Sequence, residues 1–321
     1  DKDGKIIVTD KAAKKIKTFN ALFGAQDYLD IAPIIEEHYG TTSEVIDRID
    51  TTVVEGVEVY DTIMKEVKNV PGAGTLIASD DAGNILINTN FPNAGSATDF
   101  IIISADLKNT YKLQLTMPEG IEAKRCDQMG RIVGDMLGDE GAYMWINPSD
   151  TKNPQGYTKV AVIKVAEGAQ VAGYSMSAEI GAQSTSMLAQ PAIFTVAEID
   201  EMYDNEGDVT PTFWLRNRST SGIVTGWTYN EEEGAWKFDN AVTVATGAAS
   251  NEGFATFQLQ GETYFVVPVV DGAGARSAWF NITKADGTVM ATVEENFAGL
   301  SSFNSFSAIE LDDNTAIIYR W

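Results

Sequence analysis

Short runs of β-branched and apolar residues, separated by acidic glycine turns, recur along the chain. The clearest reads Thr75-Leu76-Ile77-Ala78-Ser79, then Asp80-Asp81-Ala82-Gly83-Asn84, then Ile85-Leu86-Ile87-Asn88-Thr89. Altered forms stand at Asp127–Gly130, Asp271–Gly274, Asp286-Gly287 and Asp312–Asn314. Val, Ile, Thr and aromatic side chains fit a pleated, half-buried surface, while Asp-Gly and Asn accept the positive φ of tight hairpins. Long helical periodicity is absent between these units, so the pattern predicts an all-β repeat protein.

The units group into fours. One set is Thr75–Ser79, Ile85–Thr89, Phe100–Ser104 and Tyr111–Leu115; the next is Lys124–Asp127, Arg131–Met136, Tyr143–Ile146 and Val160–Val165. The turns at Gly83 and Gly130 stand 47 residues apart, inside the ~40–50 residues of a propeller blade. Over 321 residues this period predicts a single β-propeller domain, 1–321, of about six four-stranded blades. The termini carry half-sheets: Lys5–Thr9 and Lys15–Asn20 at one end, Phe306–Leu311 and Thr315–Trp321 at the other. A last blade built from both termini would close the ring and remove its exposed edges.

Two stretches interrupt the pattern. Thr41 with Glu44, and Thr195 with Glu198, have capping-box spacing. They predict short helical insertions near 30–50 and 195–203, with strands resuming at Val53–Tyr60 and Phe213–Arg218; an irregular blade without helix is the competing reading.

Charge narrows the partners. With 23 Lys+Arg against 46 Asp+Glu, the chain carries −23, a field that repels phosphate backbones and anionic headgroups and excludes nucleic acid. Lysines 2, 5, 11, 14, 15 and 17 crowd the N-terminus, as expected of edge strands protected from aggregation. Cys126 stands alone, so an internal disulfide is excluded, and no apolar run approaches the ~20 residues of a membrane-spanning helix. The chain opens directly in strand-like sequence, which predicts a trimmed, mature chain. A monomer is expected.

The segment Arg125–Tyr143, the hairpin Asp80–Asn90 and the ending Tyr319-Arg320-Trp321 resemble the propeller-type domains of unknown function found in exported lipoproteins of gut Gram-negative anaerobes. That resemblance implies a propeller, export to the periplasm or outer-membrane cell surface, and a lipid-bearing cysteine upstream of residue 1. It brings no active site.

Catalytic constellations are sparse. Nucleophilic triads need an imidazole, and the single histidine, His38, reads as an exposed loop residue among Glu36, Glu37 and Tyr39. Cys126 beside Arg125 reads as a buried structural thiol. One His and one Cys cannot furnish a zinc site. Asp204-Asn205-Glu206-Gly207-Asp208 approximates a calcium loop but lacks its closing glutamate, and no G-x-x-x-x-G-K-[ST] loop is present. No catalytic residue, metal or cofactor is therefore assigned. Acidic pairs such as Asp80-Asp81, Asp312-Asp313 and Glu231–Glu233 sit in turns, where they serve backbone geometry.

One cluster stands out from the acidic background: Trp214, Arg216, Arg218, Trp227, Tyr229 and Trp236, within 23 residues. On a strand, 214, 216 and 218 share a face. Aromatic plates with guanidinium forks suit sugar rings or a partner's carboxylates, although tryptophans also pack between blades. Trp214, Arg216, Arg218, Trp227 and Trp236 are the candidate ligand-binding residues. The expected function is a non-catalytic binding or scaffold module for a glycan or a surface protein. The alternative is a carboxylate-dependent glycan hydrolase or lyase at a mouth of the channel.

Overall fold

The computed structural model describes residues 6–10, 15–19, 25–90, 99–115, 123–150, 159–165, 171–177, 186–189, 196–197, 199–200, 212–217, 223–230, 232, 235–244, 254–269, 279–294 and 306–320. All the strand pairing among them is antiparallel, and each sheet follows chain order. A first sheet joins β1 (Ile6–Asp10), β2 (Lys15–Phe19) and β3 (Ala25–Asp30). Helix α1 (Ala32–Tyr39) follows, then a long hairpin of β4 (Thr41–Val54) and β5 (Val57–Asn69). Next come β6 (Gly72–Ser79), β7 (Ile85–Asn90), β8 (Asp99–Ile103) and β9 (Thr110–Gln114) in one four-stranded sheet. A second holds β10 (Ala123–Gly134), β11 (Ala142–Asp150), β12 (Lys159–Val165) and β13 (Val171–Ser177). A third holds β14 (Ser186–Ala189), β15 (Thr212–Asn217), β16 (Ile223–Asn230) and β17 (Ala235–Thr243). A fourth holds β18 (Ala255–Leu259), β19 (Glu262–Val269), β20 (Trp279–Lys284) and β21 (Val289–Glu294), and β22 (Phe306–Asp312) pairs with β23 (Thr315–Arg320).

Neighbouring sheets pack face to face in chain order, and strand alternation explains how. In the β6–β9 sheet, Ile85, Ile87, Ile101 and Ile103 point to one side, where Ile16 of the first sheet and Ile31 and Ile35 around α1 meet them. Leu86, Phe100, Ile102 and Leu113 point to the other side, against Ile132, Met144 and Ile163 of the β10–β13 sheet. Burial on both faces accounts for the unbroken apolar runs in these strands, since alternation with polar residues marks a sheet with one wet face. The series continues with Trp214, Val224 and Val242 against Phe265 and Val267. It ends with Phe257, Val266 and Phe280 against Phe306 and Ile318.

A polar latch crosses the junction between the β6–β9 and β10–β13 sheets. Asp80 Oδ1 accepts the Asn84 backbone N–H at 2.8 Å; Oδ2 accepts Asn84 Nδ2 at 2.9 Å and the Met136 N–H at 2.8 Å. Asn84 Nδ2 also donates to Asp135 Oδ1 at 2.8 Å, and Asp81 Oδ2 accepts the Gly134 N–H at 2.9 Å. Burial is the largest influence on the Asp80 carboxyl and raises it above the ordinary carboxylate value, although these donors pull the other way.

Three expectations need correction. Asp127–Gly130 is not a turn. It lies within β10, where register shifts at Cys126/Gln128 and Met129/Ile132 absorb extra residues as bulges against the continuous partner β11. The strands assigned to the second blade move accordingly, and the counterpart of the Asp80 turn is Asp135–Gly138, where the Gly138 N–H donates to the Asp135 carbonyl at 3.2 Å. Thr41 and Glu44 start no helix: they lie in β4, paired along its length with β5. The helix of that region comes earlier, with Pro33 in its first turn and the Asp30 carboxylate accepting the Ala32 N–H at 3.1 Å. Finally, the blade shared by both termini is not formed among the described residues, because β1 pairs with β2 while β22 and β23 make a sheet of their own.

Other expectations hold. Val196, Ala197, Ile199 and Asp200 are helical, and Asp200 Oδ1 accepts from Tyr143 Oη and Lys164 Nζ, each at 2.6 Å, tying that insertion to the β10–β13 sheet. The C-terminal hairpin forms with its turn at Asp313-Asn314, and Asp286-Gly287 turns β20 into β21. Asp271–Gly274 and Asp204–Asp208 lie outside the described residues.

Candidate functional site

Of the tryptophan–arginine cluster, the structure brings Trp214 and Arg216 to one face of β15, as alternation requires. That face is closed. Trp214 is buried and meets the Phe265 ring edge-on at 4.8 Å, and Arg216 is fully buried beneath the same sheet junction. Trp227 turns the other way. It pairs across the strands with Phe213, its ring stacked at 6.1 Å, and its indole N–H donates to Thr225 Oγ1 at 3.1 Å. Arg218 and the side chain of Trp236 lie outside the described residues. The strand period revealed which residues share a face of β15, but the register with β16 sends Trp227 to the opposite side. Trp214, Arg216 and Trp227 therefore pack the interior and offer no open surface.

An open cleft with polar residues in its walls forms elsewhere, where the end of α1 crosses the β6–β9 sheet. It measures about 230 Å³ and is lined by His38, Tyr39, Gly40, Thr41, Pro71, Thr89, Asp99, Lys112 and Gln114. Register explains the convergence. Thr89 follows Ile85 and Ile87 on one face of β7, while Asp99 stands opposite Gln114, and Ile101 opposite Lys112. All of these side chains project on the face that α1 covers.

The cleft walls are held by specific bonds. Tyr39 Oη lies 2.8 Å from the Phe100 carbonyl oxygen and 3.0 Å from that of Leu113, so its single proton is shared between two strands. Burial, and then the charge of Asp99, push the Tyr39 phenol well above its usual range and keep it a neutral donor. Lys112 Nζ sits 4.5 Å above the Tyr39 ring, a cation–π contact. Gln114 Nε2 donates to Asp99 Oδ1 at 3.1 Å. His38 Nε2 and Thr110 Oγ1 are 2.8 Å apart. His38 is thus half-buried, not the exposed loop residue its acidic neighbours suggested.

Thr89 differs from the others. It is fully buried, and its Oγ1 makes no hydrogen bond. Buried polar atoms in native structures nearly always have a partner, so this hydroxyl, beside the cleft, has capacity to bond a water or a ligand atom. The sequence held a weak signal for this site. Asn88-Thr89 ends an apolar strand in two polar residues, and Tyr39-Gly40 ends a helix, but nothing in the chain shows that the two ends meet.

The cleft contributes one carboxylate, Asp99. Among the described residues no group of three or more His, Cys, Asp or Glu side chains could hold a metal ion. Among the described residues no helix is long and apolar enough to cross a membrane.

No family model matches the chain, and no curated protein matches it. Among solved structures, a protein of unknown function from Bacteroides caccae is similar at 10% identity over 90% of this chain and 72% of that one, with a TM-score of 0.42. NanB sialidase from Streptococcus pneumoniae is similar at 11% identity over 84% and 46%, with a TM-score of 0.36. An exo-β-1,3-galactanase from Phanerochaete chrysosporium is similar at 13% identity over 78% and 54%, with a TM-score of 0.40. At these TM-scores the likenesses carry no weight for ligand or activity.

Proposed function

We propose that this chain is a non-catalytic binding module that holds a small, hydroxyl-rich ligand, a sugar residue, in the cleft between α1 and the β6–β9 sheet. The observation that carries the reading is the buried Thr89 hydroxyl without a hydrogen bond, at the edge of a cleft with donors and acceptors of both signs. Lys112 and Gln114 donate, Asp99 accepts, and Thr89 and Thr41 do either, which suits vicinal hydroxyl groups. At about 230 Å³ the cleft falls below the ~300 Å³ at which most small-molecule pockets begin, so it suits one sugar ring and not an oligosaccharide. Glycoside hydrolysis ordinarily requires two opposed carboxyl groups, and the single Asp99 favours binding over cleavage. The wider setting belongs to the same proposal. The series of packed sheets closes as a propeller of about six blades, exported to the cell surface behind an upstream lipid anchor, where the bound glycan or a partner protein is met.

Thr89→Val tests this reading, because it removes the hydroxyl and keeps the shape. A glycan array identifies the sugar, and calorimetric titration of that sugar compares the two proteins. The melting temperature should stay level or rise, since a buried hydroxyl without a partner is lost, while affinity should fall roughly tenfold, about 1.4 kcal/mol. Equal affinity of both proteins, or an array with no hit, overturns the cleft as the site. Release of new reducing ends from the array hit would favour the hydrolase instead.

A further inference from the structure

The hairpin β4–β5 differs from the packed sheets around it. It is a two-stranded sheet with thirteen paired positions, roughly 40 Å long at the usual strand rise, and its residues from Glu44 to Thr62 are exposed apart from the half-buried Asp50. Its apolar residues are exposed too, apart from the half-buried Ile63 and Val67. Tracing the register from the Glu55-Gly56 turn, where both residues have positive φ, places Ile46, Ile49, Val53, Tyr60 and Met64 on one face. Their exposures are 57%, 55%, 68%, 63% and 46%. An isolated two-stranded hairpin is marginal in water, and both outer edges of this one are unpaired among the described residues.

We infer that this arm is a self-association surface, and that its occupant is the arm of a second copy of the chain, laid antiparallel across a twofold axis. Two observations favour a second copy. The first is area. Those five side chains expose on the order of 600 Å², the top of the range for the largest apolar patch on a monomer. With the flanking Thr51, Glu58 and Thr62 the face reaches the ~800 Å² per partner of a standard interface. The second is self-complementarity. Ile49 and Thr51 lie near the middle of the face, so a twofold axis there sets Ile46 and Met64 of one arm against Val53 of the other. The length of the arm also lessens the main objection, which is repulsion between two chains of −23. Bodies held tens of ångströms apart are separated by several Debye lengths at physiological salt, ~8 Å each. The chain is then a dimer, not the monomer expected from its sequence.

Sedimentation equilibrium over the micromolar range tests this on the whole chain. The wild type should dimerise, and added salt should hold or strengthen the dimer, because its core is apolar and its net charges are alike. Ile49→Lys should weaken it by at least roughly tenfold, with an unchanged circular dichroism spectrum. Val59→Lys, on the opposite face of the same arm, should leave it dimeric. A monomeric wild type at every concentration overturns the inference. So does a dimer indifferent to Ile49→Lys, or one lost equally with Val59→Lys.

Discussion

The side-chain amide of Asn84 donates to Asp135 Oδ1 at 2.8 Å, joining the turn of one sheet to the turn of the next. The same nitrogen reaches back to Asp80 Oδ2 at 2.9 Å, and Asn84 Oδ1 accepts the Ala105 N–H at 3.1 Å. One buried residue therefore serves three segments. Asn84→Ala should lower stability by about 2–3 kcal/mol, since Asp80 and Ala105 lose partners in a dry site. Urea unfolding checks this: the midpoint should fall with its slope unchanged.

Asp80 gives the latch a pH dependence of defined sign. Its carboxyl is raised above 3.8 in the folded state, so the folded chain holds that proton more tightly than the unfolded chain does. Its contribution to stability is fully present below the unfolded value and is lost as pH rises through the folded one. The difference in urea midpoint between wild type and Asp80→Asn should therefore shift in favour of the mutant as pH rises from just below 3.8 and level off above the folded value. A difference that grows in the wild type's favour with pH would contradict the raised carboxyl.

Gly134 should tolerate no side chain. Its φ is +99°, and a Cβ there would collide with Val196 and lie 2.6 Å from the Gly141 carbonyl oxygen. Backbone strain and a clash with immovable backbone act together, so Gly134→Ala should cost about 3 kcal/mol or more. Thermal unfolding measures it. The helical residues Val196, Ala197, Ile199 and Asp200 should lose protection in hydrogen exchange first, because Val196 takes the impact.

Trp214→Ala should separate packing from recognition. Removing a ring that meets Phe265 between two sheets should cost about 3–5 kcal/mol, read from denaturant unfolding. Affinity for a sugar bound in the cleft at Thr89 should not change in the fraction that remains folded. A stable variant with weakened binding would restore the tryptophan cluster as the site.

The fold class was legible because hairpin chemistry is local. Apolar runs around Asp80–Asn84 and Asp312–Asn314, and the strands at both termini, are set by neighbours within a few residues, and they form where the pattern places them. Turns that depend on a distant partner were not legible. Asp127–Gly130 has turn composition, yet pairing with β11 holds it in β10 as bulges. Thr41 and Glu44 have helix-start spacing, yet cross-strand pairing from Thr41 to Val54 overrides it.

By itself, then, the sequence determined an all-β chain of successive hairpins, the shared face of Trp214 and Arg216, and the net charge of −23. Those follow from backbone sterics, the two-residue period of a strand and the count of charges, none of which needs a distant contact. Tertiary structure alone decided that this shared face is buried, that Trp227 points away from it, and that Thr89, Asp99 and Lys112 converge beneath α1. It also decided that Ile46, Ile49, Val53, Tyr60 and Met64 of β4 and β5 stay exposed. Each of these depends on which strands pair, in what register, and what lies above the sheet, and the free energy that selects them comes from burial shared among residues far apart in the chain.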